Sequence, residues 1–228
     1  MPTQPWIKSA SPKLLVIGHD PRLNKSNTLA IYSLFSNYYF DEIPKVPSEL
    51  KKYQLAEAVF NLIRDLTSGI IAPEEICVTN LCNDPLPHAP IGKTVYIPEE
   101  SAIKGIKDIK KILEEYPSIQ LILPMSLQVN YWLQKLNFCT SNSEFVSLSE
   151  PRKQGIVSDN LYYEPQKGRT FLLICGKIFK TIIPQDIPVI PILHVKNFPL
   201  KENFLPYLPN QQEAKNNILH ILNSKIKI

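Results

Sequence analysis

The chain has 228 residues, of which 44% are hydrophobic and 20% charged, with a net charge of +4. That length can bury a large core in a single domain, and the composition excludes a disordered chain, a coiled coil and a collagen-like repeat. The mild positive charge permits a nucleic-acid partner without demanding one.

Twenty-one prolines against seven glycines predict stiff loops between the elements. The four cysteines, Cys77, Cys82, Cys139 and Cys175, lack Cys-x-x-Cys spacing and read as buried thiols in a reducing compartment. Residues 1–11 carry Pro, Gln and Lys instead of an apolar core, so no signal peptide is expected. No apolar run approaches the roughly 20 residues that a membrane span needs.

Leu14-Leu15-Val16-Ile17 is a continuous apolar run ending at Gly18, the pattern of a strand buried on both faces. Residues 28–40 predict an aromatic-rich helix, and the prolines of 41–48 a loop. Leu55, Val59, Leu62, Ile63 and Leu66 recur at helical spacing, predicting a helix over 54–67 with Gly69 as its stop. A second strand is predicted over 76–79, ending at Asn80. Residues 81–98 form a proline-rich loop.

Ile103, Ile106, Ile109, Leu113 and Tyr116 make one stripe of a helix over 101–116, with lysines opposite. A third strand follows over 119–123, ending at Pro124, with a helix over 127–136 behind it. Residues 138–168 are polar and irregular and read as an insertion. Residues 170–174 and 189–193 are strand candidates, with Pro191 arguing for an edge or short strand in the second. A closing amphipathic helix spans 211–222. Alternating strands and helices predict an α/β fold with a mostly parallel sheet, in which ligands bind beyond the carboxyl ends of the strands.

Three of those ends carry groups capable of chemistry: Gly18-His19-Asp20-Pro21, Thr79-Asn80 and His194-Val195-Lys196. Each has an ordinary alternative. Asp20 before Pro21 suits a turn, Asn80 a cap, and His194 a satisfied loop position. Their shared topological place favours a common site. No Gly-x-x-x-x-Gly-Lys-Ser/Thr, Gly-x-Gly-x-x-Gly or Gly-x-Ser-x-Gly pattern occurs. His88 near Asp84 and Cys82 has no second ligand cluster to make a metal site.

The run Leu14 to Pro21 resembles the first motif of the uracil-DNA glycosylase superfamily, an apolar strand followed by Gly-x-Asp-Pro. Val78-Thr79-Asn80 resembles the strand ending in that family's base-reading Asn, and Pro191-Ile192-Leu193-His194 the strand bearing its second-motif His. The similarity spans Lys13 to Phe198. Three departures stand out. Arg22 replaces the aromatic that often follows Asp-Pro. His194-Val195-Lys196 replaces His-Pro-Ser. The cysteines do not match the iron–sulfur branches.

The resemblance implies a three-layer α/β/α domain around a mostly parallel four-stranded sheet. It implies a DNA glycosylase that removes uracil or a related damaged base without metal or cofactor. Asp20 would orient the attacking water and favour the cationic sugar. His194 would donate a hydrogen bond to the departing base, an effect worth about 10²–10³ in rate. Asn80 would accept from N3–H and donate to O4 of uracil, with His19, Tyr39 and Phe40 completing the base site. Arg22, Lys25, Lys196 and Asn197 would meet phosphates, and Phe198 would wedge into the vacated stack. The expected partner is uracil-containing or damaged DNA, bound by a cytoplasmic monomer with no membrane association. Two alternatives remain open: a catalytically inactive relative that binds DNA or a protein, and an unrelated α/β enzyme acting on a small nucleoside or nucleotide.

Overall fold

The computed structural model describes residues 5–19, 54–84, 86, 94–140, 153–157, 160–163, 169–183, 186–193 and 208–226. The helix expected over 28–40 and the loop over 41–48 lie outside these residues.

The molecule is a mixed α/β structure around a five-stranded sheet, in the order β2-β1-β4-β8-β7. Strand β1 spans Leu14–Gly18, β2 Ile76–Asn80, β4 Leu121–Pro124 and β8 Pro188–Val189. These four run parallel, whereas β7, Phe179–Lys180, pairs antiparallel with β8 at the edge. The expected four-stranded sheet therefore gains a fifth strand. A two-residue strand is too short to leave a periodic signal.

Side chains along each long strand alternate between two cores. Leu15, Ile17, Cys77 and Ile122 join a cluster with helix α2, Glu99–Glu115, and helix α3, Leu127–Lys135. Leu14, Val16, Ile76, Val78, Leu121 and Leu123 join another with helix α1, Gln54–Leu66, and the closing helix α5, Leu208–Ile226. Burial on both faces explains why these strands read as continuous apolar runs. Trp6 forms an antiparallel bridge to Val78 on the outer side of β2 and packs edge-on against Phe60 at 5.1 Å. It thereby covers part of a sheet edge.

Helix α2 begins two residues earlier than expected, after Pro98, with Glu99 and Glu100 complementing the dipole of its first turn. Its buried stripe is Ala102, Ile106, Ile109, Ile112 and Leu113, while Ile103, expected on that stripe, is 51% exposed. The run over 170–174 is not a strand. It overlaps helix α4, Arg169–Leu172, which continues into turns through Gly176. Phe171, Ile174 and Cys175 are buried while Leu173 is exposed, which is a helical spacing. A short apolar run does not by itself distinguish the two states.

Two segments expected to be irregular contain strands. Strands β5, Lys153–Val157, and β6, Asn160–Tyr163, form an antiparallel hairpin, to which β3, Thr94–Val95, adds a third strand. Among the described residues no helix is long and apolar enough to cross a membrane.

Candidate functional site

Parallel pairing brings the carboxyl ends of β2, β1, β4 and β8 to one rim. Register is strict at one end of it: Leu14 pairs with Ile76 and Gly18 with Asn80. The chain then stays zipped beyond both strands. The Leu81 N–H donates to the Gly18 carbonyl at 2.9 Å, and the Cys82 N–H to the His19 carbonyl at 3.0 Å. His19 is buried at 9% exposure, directly after β1.

Asn80 is only 1% exposed, and its Oδ1 has no hydrogen-bond partner among the described residues. The neighbouring Thr79 Oγ1 is likewise buried without one. A buried polar atom left unsatisfied costs about 1–3 kcal/mol. Such atoms call for an explanation, and an incoming ligand is one.

The opposite end of the rim is built differently. Strand β8 holds only two ladder residues, but the Ile190 N–H donates to the Ile122 carbonyl and the Ile192 N–H to the Pro124 carbonyl. These bonds leave Pro191 facing away from β4, where its missing N–H costs the sheet nothing. Its carbonyl accepts the Gly176 N–H at 2.8 Å. Gly176 has a φ of +87°, and a Cβ there would strike the Asn210 carbonyl. From α5, Asn217 Nδ2 donates to the Gly176 carbonyl at 2.9 Å, and Asn210 Nδ2 to the Leu172 and Cys175 carbonyls at 2.8 and 3.0 Å. Leu193, the last described residue here, is buried.

Of the expected site residues, His19 and Asn80 come together at the β1–β2 end of the rim. Asp20, Arg22, Lys25, Tyr39, Phe40, His194, Lys196, Asn197 and Phe198 lie outside the described residues. The sequence reading assigned nothing to the end of β4, where a polar group also stands. Ser126, between Met125 and α3, has a φ of +100° and caps the helix, its Oγ accepting from the Val129 N–H at 3.4 Å. Asn130 Nδ2 donates to the Ser126 carbonyl at 2.8 Å, and Gln128 Oε1 accepts the Ile97 N–H at 2.8 Å. A serine just before a helical apolar pattern was the available signal.

All four cysteines are free and buried. Burial pushes the Cys77, Cys139 and Cys175 thiols up to about 12, so none is a ready nucleophile. No protein-family model and no curated protein matches this chain.

Proposed function

We propose that this chain is a DNA glycosylase of the uracil-DNA glycosylase superfamily, hydrolysing the N-glycosidic bond of uracil or a related damaged base in DNA. The observation that carries the reading is Asn80, a buried carboxamide at the end of a parallel strand with an acceptor lacking a partner among the described residues. An imide N–H of uracil satisfies such an acceptor, and the carboxamide N–H₂ can serve the adjacent carbonyl. Topology adds support. Asp20 follows Gly18 by two residues and His194 follows Leu193 by one, and both preceding strands end on the rim that holds Asn80. The two clusters on opposite faces of the sheet support a three-layer arrangement.

In this mechanism the Asp20 carboxylate orients a water molecule and receives its proton. The water oxygen bonds to the sugar C1′ as the C1′–N1 bond breaks. The bonding pair leaves with the base, and a hydrogen bond from His194 to the base oxygen stabilises that charge. The protein is proposed to act on DNA as a cytoplasmic monomer, with no membrane partner.

Alkaline cleavage of end-labelled oligonucleotides carrying one uracil, single-stranded or opposite A or G, tests the reading. Wild type is expected to produce abasic sites, and Asp20→Asn and His194→Ala to lose at least about 10²-fold in rate. Undiminished excision by Asp20→Asn, or no excision of any base by folded wild type, overturns it.

A further inference from the structure

The turn after Asn80 is gripped from three sides. Toward β1 it makes the Leu81-to-Gly18 and Cys82-to-His19 hydrogen bonds. Within the turn, the Cys82 thiol donates to the Asp84 carbonyl at 3.2 Å. From α2, Lys104 Nζ reaches Asp84 Oδ2 at 2.8 Å. The next residue, Gly105, lies so close to the Leu81 carbonyl that a Cβ there would collide with it. Glycine is a poor helix former, and this backbone contact explains one inside α2.

The Leu81 N–H that bonds to Gly18 belongs to the same peptide unit as the Asn80 carbonyl. A shift of Leu81 therefore turns Asn80 as well. The direction of a carboxamide decides what it reads. Rotated by half a turn, it exchanges acceptor for donor and fits the cytosine pattern instead of the uracil pattern. With Oδ1 lacking a side-chain or backbone partner among the described residues, nothing described holds that oxygen directly. The backbone beneath it is held instead.

We infer that Lys104 and Gly105 are positioning residues that press the 81–84 turn onto the end of β1 and so fix where the Asn80 carboxamide stands in the base site. This rests on the reading of Asn80 given above. The contact at Gly105 is with backbone, so no side-chain rotation can absorb an added methyl group.

The test combines single-turnover excision with nuclear magnetic resonance of the Asn80 carboxamide. It uses wild type, Gly105→Ala, Lys104→Met, Asn80→Ala and the double variants. Gly105→Ala is expected to slow uracil excision about 10²-fold. It also shifts the Asn80 side-chain and Leu81 and Cys82 amide signals. In the Asn80→Ala background its effect falls to within about twofold. Lys104→Met, an exposed change that leaves the helix folded, acts the same way by about two- to fivefold. That variant carries the test should Gly105→Ala not fold.

Equal losses with and without Asn80, or Asn80 signals unmoved in the folded variants, overturn the inference. If wild type excises no base while the signals move, the glycosylase reading falls and the clamp stands.

Discussion

The two ends of the rim do the same job by different means. At the β1–β2 end, five consecutive register pairs deliver Gly18 and Asn80 side by side, from strands buried along their whole length. At the β8 end, a two-residue strand with prolines at 188 and 191 delivers Leu193. Beyond that strand, the Ile190 and Ile192 N–H groups still bond to β4, and support comes from the Gly176-to-Pro191 hydrogen bond and from two asparagines reaching from α5. The first end is held by a ladder whose bonds reinforce one another. The second has fewer ladder bonds and adds side-chain struts from α5, each removable by one substitution. A strand too short to fix its own end borrows rigidity from a helix.

The sharpest way to break the comparison is Gly176→Ala. The new methyl group meets the Asn210 carbonyl at a φ of +87°, and both strain and overpacking act. A loss of about 3 kcal/mol is expected in urea unfolding. Asn217→Ala comes next. It leaves the Gly176 carbonyl buried without its partner and should cost about 1–2 kcal/mol.

Between the two ends lies Ser126. Ser126→Gly relieves a backbone conformation costing about 1–3 kcal/mol, against a few tenths for the weakened cap, so a net gain of about 1 kcal/mol is expected. A drop in the thermal midpoint would instead mean that the cap dominates.

The buried thiols compare the two ends directly. Cys77 lies within β2 and Cys175 beside Gly176, and both are held near 12 by burial. Native protein at pH 8 should resist a thiol reagent that labels it at once in urea. If the strutted end opens at lower free energy, Cys175 labels about tenfold faster than Cys77, read by mass spectrometry of the peptides.

The smallest effect concerns the far ends of β1 and β2, where Lys13 pairs with Glu75. Burial alone would raise the Glu75 carboxyl. Hydrogen bonds from Lys13 and the Ala72 N–H, together with the Lys13 charge, outweigh burial and hold it below its ordinary 4.5. A lowered folded-state value means stability that is present above pH 4.5 and lost as pH falls through the lowered value. Lys13→Met should remove that acid-limb slope, worth less than about 1 kcal/mol at a partly exposed pair.

The parts of the fold legible in sequence are those whose signal is local. The Leu14 and Ile76 runs are apolar because both faces are covered, and each stops where the polar end residue begins. Gly18, His19 and Asn80 were legible for that reason. The β5–β6 hairpin was not, because Lys153-Gln154-Gly155 and Asn160 have the composition of a loop. The Phe171–Cys175 run was too apolar to show its period until the exposed Leu173 revealed it. Gly105 was invisible, since its reason is the Leu81 carbonyl, 24 positions away in the chain (105 minus 81).

The strand order also dictates a sequence of events during synthesis. The interior strand β1 emerges first among the described strands, yet its neighbours β2 and β4 follow only after long intervening segments, and β8 comes later still. Such non-local pairing is slow, because each loop must close before any contact offsets its entropy. The ladder between β1 and β2 is the first pairing available as the chain leaves the ribosome, and the struts of α5 are the last. The end of the sheet that leads to His194 is therefore completed only when the closing helix arrives, so the assembled rim is a late product of folding.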